Sequence, residues 1–225
     1  MSSDKVSEDK ILVVIGREYG SGGRRIGKML AHALGISYYD KSLLSEAAKK
    51  LGYSSEIFAR KDERRPSLLR SILSFNYGAP TANISEAPMS DEKIYEFQSR
   101  VIKDICSRES CVIVGRTADY VMRDHPRMAS LFIHAPASVR AQSIISRGEA
   151  SDEKSALELA DRNDRNRQSY YNYYTNRISW GHARNYTLTF DSSRISDDQI
   201  VAAVCDILDI KSAFLKISGS QGSQP

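Results

Sequence analysis

The chain has 225 residues, 41% of them hydrophobic and 27% charged, and a formal net charge of +4, which allows one good core and one or two domains. A mildly basic balance suits a protein that handles phosphates, but it lacks the clustered basic stripe of a nucleic-acid binder; its densest run, residues 60–65, holds Asp62 and Glu63 among the cations and reads as a solvated helix face or loop. Residues 1–10 are polar, without the apolar stretch of a signal peptide, and no apolar run approaches the roughly 20 residues of a membrane span, so a cytoplasmic protein with no membrane partner is expected.

Residues 11–15 (ILVVI) form a continuous β-branched run, the pattern of a strand buried on both faces of a parallel sheet. A glycine-rich turn follows over residues 16–23. Ile26, Met29, Leu30, Ala33 and Leu34 then recur at helical spacing, and Gly35 ends that helix. Residues 36–39 read as a second strand ending at Asp40, and Leu43, Leu44, Ala47, Ala48 and Leu51 as an amphipathic helix. From 59 to 90 the periodicity fades among Pro66, Gly78, Pro80 and Pro88, and a mobile insert or cover is expected there. Ile94, Phe97, Val101, Ile102 and Ile105 mark the next helix, residues 111–114 (CVIV) a buried strand, and residues 131–134 (LFIH) another. Cys106, Cys111 and Cys205 are odd in number and lack C-x-x-C spacing, so buried thiols are expected rather than a disulfide or a zinc site. Pro136 is placed in the first turn of a further helix. A long polar helix covers roughly 152–170, residues 186–190 (YTLTF) form the last strand, and Ile200, Val204, Ile207 and Leu208 line the last helix. Residues 218–225 are Ser/Gly/Gln-rich and read as a disordered tail. Strands alternating with helices imply an α/β fold, a parallel sheet covered on both faces, with ligands at the carboxyl ends of the strands.

Residues just past each strand are therefore the candidates. In the first turn, Gly20, Ser21, Gly22 and Gly23 can let backbone amides surround a phosphate at a helix N-terminus. Arg24 and Arg25 lie in the first helical turn, where cations oppose the helix dipole unless an anion offsets them. A plain strand-to-helix turn is the bland alternative. The stretch departs from G-x-x-x-x-G-K-S/T: no Lys follows the double glycine and the Mg²⁺-binding Ser/Thr is missing, so Arg24 or Arg25 has to supply the charge. Gly20-Ser21-Gly22 also begins a G-x-G-x-x-G, with Arg25 in place of the third glycine and Asp40 at the distance of a ribose-binding acid, which keeps a nicotinamide-dependent oxidoreductase open.

Arg116, directly after a buried strand, can present a bidentate fork to a phosphate or carboxylate, or form a surface ion pair. Asp164 and Arg167 share a helix face. The run 161–167 reads as a salt-bridged, solvent-exposed helix or as a lid whose arginines, with Arg140 and Arg147, close over a transferring phosphoryl group. Tyr170, Tyr171, Tyr173, Tyr174 and Trp180 can stack on a base, but most read as anchors to the core or to a subunit interface.

In this order the pieces resemble the cytidylate kinase-like family, P-loop nucleoside-monophosphate kinases, over about residues 11–210. The resemblance rests on Gly16 to Arg24 of the glycine-rich turn, on Tyr38-Tyr39-Asp40-Lys41, and on Val112 to Arg116 with Ala118-Asp119, which is similar to the family's Gly-Arg-Asp segment. Asp164 to Arg167 with Tyr170-Tyr171, and Phe190-Asp191-Ser192-Ser193, complete it. It implies a single P-loop kinase-like domain over 1–217, with a lid over 147–181, and phosphoryl transfer from ATP with Mg²⁺ to CMP or dCMP. Donor phosphates would meet the glycine-rich turn with Arg24 and Arg25, with Arg167 acting in catalysis. Acceptor contacts would come from Asp40, Ser42, Arg100, Arg116, Asp164 and Arg167, with no protein ligand assigned to the metal. Gly23 stands at the family's lysine, which leaves a nucleotide sensor without turnover as the rival reading, and Thr117 stands at the family's Asp, with Asp119 nearby, which bears on cytosine selectivity.

Overall fold

The computed structural model describes residues 10–40, 42–44, 47, 91–115, 117–176 and 180–220. The expected insert at 59–90, Arg116 and residues 221–225 lie outside the described residues.

Among the described residues five strands form one parallel sheet in the order β2-β3-β1-β4-β5: β1 (Leu12–Arg17), β2 (Ser37–Tyr39), β3 (Cys111–Val114), β4 (Met128–His134) and β5 (Leu188–Asp191). β1 is central, with Val13 in register with Val112 on one side and Ala129 on the other. Alternation explains why its run is continuously apolar. Val13 and Ile15 pack with Ile26 and Leu30 of α1 (Gly23–Leu34) and with Ile200 and Val204 of the C-terminal helix. Leu12 and Val14 face the opposite layer, where Val101, Ile102 and Ile105 of α2 (Asp91–Arg108) cover them. Each such Ile or Leu contributes about 1.5–3 kcal/mol relative to exposure.

Helix α1 stops where its C-cap glycine, Gly35, adopts φ 62° and returns its amide to the carbonyls of Ala31 and His32. The described residues 42–44 and 47 are helical; Ala48 and Leu51 lie outside them. The short α3 (Ala118–Val121), which periodicity does not signal, follows β3. In α4 (Ala137–Ser146) Pro136 is the N-cap rather than a first-turn residue: its ψ of 148° is extended, and its carbonyl accepts the Arg140 amide. α5 (Glu153–Thr175) begins with a capping box between Asp152 and Ser155 and runs five residues past Tyr170. Ala156 and Ala160 seat it on Ala141 and Ile144 of α4. α6 (Asp197–Ser220) carries helix three residues into the stretch read as a tail. Cys106 and Cys111 are buried free thiols, and Cys205 is a free thiol that is half-buried. Among the described residues no helix is long and apolar enough to cross a membrane.

Candidate functional site

The turn after β1 is held by its own backbone and by two helices. The Glu18 amide donates to the Ile133 carbonyl (3.0 Å), and the Ser21 hydroxyl lies 2.9 Å from the Glu18 carbonyl and 3.0 Å from that of Ile133. Ser21 is thus turned into the protein, and its hydroxyl braces the loop. Gly20 (φ 88°) presses on α4, where an added Cβ would stand 2.7 Å from the Arg140 carbonyl oxygen. Neither the backbone angle nor that neighbour can yield cheaply. Gly20→Ala is therefore expected to lower stability by about 2 kcal/mol or more, measured as the shift in urea midpoint; a midpoint within error of wild type would contradict this packing.

Gly22 (φ 83°) caps α1 without a side-chain hydrogen bond. Among the described residues the amides of Gly23, Arg24 and Arg25 meet no acceptor, the unmatched donors of a first helical turn. The two arginines diverge from one another. Arg24, its side chain 62% exposed, has its Nε 3.4 Å from Asp40 Oδ2. Arg25, 66% exposed, grips both carboxylate oxygens of Asp197 on α6, and that hydrogen bonding raises its pKa. These acids supply the anions that the two cations at a helix start require.

Asp40 is buried after β2. Its Oδ1 accepts from the Ser42 amide (3.0 Å), the Ser42 hydroxyl (2.7 Å) and the Leu43 amide (3.3 Å). Burial alone would raise its pKa, but the bonds from Ser42 and Leu43 and the Arg24 guanidinium outweigh it and hold the carboxyl below its ordinary value. Asp40 thus starts the next helix and fixes Arg24.

Helix α5 turns one face to this loop. Asp164 Oδ1 accepts from the Tyr19 amide (2.8 Å) and from Arg167 Nη1 (3.0 Å), and Oδ2 accepts from Arg140 Nη1 (2.8 Å). Arg167 also donates to the Arg17 carbonyl (3.3 Å) and lies over the Tyr19 ring at 5.1 Å. Side chains of Asp164 and Arg167 are only 14% and 17% exposed, whereas Arg165 pairs outward with Asp161. The run 161–167 therefore has two faces, a solvated one and one built into the site. Burial raises the Asp164 pKa against the pull of Arg167, the Tyr19 amide and Arg140. Burial likewise lowers that of Arg167, with Asp164 and Tyr19 opposing. Arg147 pairs with Glu149, which accepts the Tyr19 hydroxyl at 2.7 Å; burial and this bond push the Tyr19 phenol up to about 12.

Between the ends of β1 and β3 and beneath α5 lies a cleft lined by Arg17, Gly115, Asp119, Asn166, Arg167 and Tyr170, with Tyr171, Trp180 and Tyr186 also on its wall. Asp119 is 9% exposed and accepts from the Tyr171 hydroxyl at 2.8 Å. Burial, then the Asp119 charge, pushes the Tyr186 phenol well above its ordinary value. The residue at the family's acid position, Thr117, is buried with φ 54°, an uncommon angle for a β-branched residue. That turn carries the chain so that Asp119, two positions later, reaches the cleft. Tyr174 stacks on Tyr95 of α2 at 4.2 Å, and the Tyr170 hydroxyl donates to Gln98, so anchoring accounts for much of the tyrosine run. Arg100 is exposed on α2 and is not part of the cleft wall.

Sequence reasoning singled out the residue after β3, Arg116, but not its counterpart at the end of β1. Arg17 lies inside the cleft, and the same rule applied to both strands finds it. The places of Asn166 and Tyr186 on the cleft wall carried no comparable signal.

The sequence profile described as the cytidylate kinase-like family matches residues 12–194. A cytidylate kinase of Pyrococcus horikoshii is 24% identical over 203 residues, 90% of each chain. An uncharacterised protein of Eubacterium ventriosum superposes with a TM-score of 0.66 at 27% identity, over 89% of this chain and 99% of that one. Shikimate kinase from Bacteroides thetaiotaomicron shares the fold at 12% identity, with a TM-score of 0.50 over 88% and 98% of the two chains.

Proposed function

This chain belongs to the cytidylate kinase-like family, and from that premise we propose that it transfers the γ-phosphoryl group of ATP to a nucleoside monophosphate, with CMP or dCMP as acceptor. The observation that carries this reading is a cleft that brings Arg167, fixed by Asp164 to the glycine-rich loop, into the same lining as the buried carboxylate of Asp119. One is a cation for transferring phosphate; the other is a hydrogen-bond acceptor for an exocyclic amine.

In the reaction the bond between the γ-phosphorus and its bridging oxygen breaks, a bond to an acceptor phosphate oxygen forms, and ADP leaves. The chain contributes alignment and charge neutralisation. Amides of Gly23, Arg24 and Arg25 hold donor phosphates at the start of α1. Arg167 neutralises the equatorial oxygens, kept in place by Asp164 and the Arg17 carbonyl. Asp119, held by Tyr171, accepts from the cytosine amino group, which uracil lacks. Arg116 binds the acceptor phosphate by family analogy. Among the described residues no three His, Cys, Asp or Glu side chains converge, and the first turn of α1 presents arginines. Mg²⁺ would arrive bound to the triphosphate, with oxygens of the phosphates and water as ligands, and would add charge neutralisation on the donor side.

A coupled ADP-release assay with ATP, Mg²⁺ and a panel of monophosphates tests the reading. Turnover with CMP or dCMP above UMP, AMP and GMP is expected. ATP binding without turnover on any acceptor would favour the second reading, a nucleotide sensor, for which Gly23 in the lysine position is the supporting observation.

A further inference from the structure

We propose that Arg17 supplies the cationic grip on the donor phosphates that position 23 lacks, an inference that rests on the kinase reading above. Laid on G-x-x-x-x-G-K-S/T so that Gly22 takes the second glycine, the loop has Arg17 where the pattern has its first glycine and Gly23 where it has its lysine. The two residue types have changed places. The structure gives the reason this exchange is tolerated: the two positions share one volume. A Cβ at Gly23 would stand 2.7 Å from the Cβ of Arg17 and 3.0 Å from its Cγ. Only one of the two residues can carry a side chain there, and the stem of Arg17 starts from the place where a side chain at 23 would start.

From that point the guanidinium reaches across the floor of the cleft to the end of β3. A Cβ at Gly115 would meet Arg17 Nη1 at 2.2 Å and Cζ at 3.2 Å, so a second glycine is needed to let the head pass. The backbone of Arg17 is pinned as well, its carbonyl accepting from Arg167. The stem therefore lies against the start of α1, and the head stands at Gly115 in the cleft that Arg167 also lines. Arg24 and Arg25, the other cations of this turn, are largely exposed and are not on the cleft wall, whereas Arg17 is. A planar fork of five donors suits the non-bridging oxygens of a nucleoside triphosphate, and binds them with more directional constraint than an ammonium.

The test measures ATP binding by titration calorimetry alongside turnover, on the full chain. Arg17→Met keeps most of the stem and removes the charge. It is expected to weaken ATP binding about tenfold or more and to lower kcat about a hundredfold, with CMP binding unchanged. The double variant Arg17→Gly with Gly23→Lys frees the shared volume and returns a cation to it, and is expected to recover ATP binding and at least a tenth of wild-type turnover. Wild-type ATP binding and turnover in Arg17→Met would overturn the proposal and leave the kinase reading standing. So would loss of CMP binding with ATP binding intact, which would put Arg17 on the acceptor. A wild-type chain that binds no ATP would remove the kinase reading and this inference together. Should Arg17→Met fold poorly, the double variant decides alone: folded but inactive, it counts against the exchange.

Discussion

Asp119→Asn is expected to invert the acceptor preference, lowering kcat/KM for CMP about a hundredfold and raising that for UMP. The carboxylate accepts only. Buried and held by the Tyr171 hydroxyl at 2.8 Å, it suits an amino group and repels the carbonyl that uracil presents at the same ring position. The asparagine oxygen can still accept from Tyr171, and its amide then offers N–H groups to the cleft, which satisfies uracil and leaves the cytosine amine facing a donor. A buried site that loses its hydrogen-bond match forfeits about 2–3 kcal/mol, which is the hundredfold. The ratio of the two specificity constants is the readout, because it cancels changes in enzyme concentration or general damage. An unchanged ratio would mean that Asp119 does not meet the base.

Asp164→Ala is expected to cost both stability and catalysis. This one carboxylate accepts from the Tyr19 amide, Arg140 and Arg167, and so ties the glycine-rich loop to α4 and α5. Deleting it leaves Arg140 and Arg167, whose side chains are 15% and 17% exposed, close together without their shared counter-charge. Removing one partner from such a cluster costs about 3–5 kcal/mol, so a loss of unfolding free energy near the low end of that range, read from urea midpoint and m-value, is expected for this partly solvated site. Arg167, no longer held against Asp164, would lose its pre-set position, and kcat should fall about a hundredfold. Asp164→Asn keeps the shape and an acceptor for Tyr19 but removes the charge, and should fall between the two. Should Asp164→Ala unfold within about 0.5 kcal/mol of wild type, the range of ordinary surface substitutions, the three contacts are not acting as a joint.

The strand-turn-helix entry, the buried strand β3 and the capping glycine of α1 were legible because each is a local pattern. Four apolar residues in a row at β1 and β3 already state that both faces of the sheet are covered. Gly35 ends α1 through its own φ. The family could be read for a related reason: its motifs occur in order along the chain, and order survives without three-dimensional information. The short α3 was not legible, since four residues carry no period, and the length of α5 was underestimated because its last turn is tyrosine-rich rather than periodic.

Directions of side chains across the site were decided elsewhere. Arg24 and Arg25 looked like replacements for the missing lysine, yet they turn toward Asp40 and Asp197, the latter 172 residues away. Asp119 looked displaced by two positions, and a left-handed turn at Thr117 brings it to the cleft. The run 161–167 looked like a solvated helix until α4 and the loop covered one of its faces.

By itself, then, the sequence determined the strands and the longer helices, that the sheet is parallel and covered on both faces, and that a glycine-rich turn opens the site, since backbone preference and the period of burial act over a few residues. Only the tertiary structure decided which arginine of the glycine-rich turn enters the cleft. That choice depends on the volume shared by Arg17 and Gly23, on the space left by Gly115 and on acids brought from the end of β2 and from α6, and contacts of that kind exist only once the chain has folded.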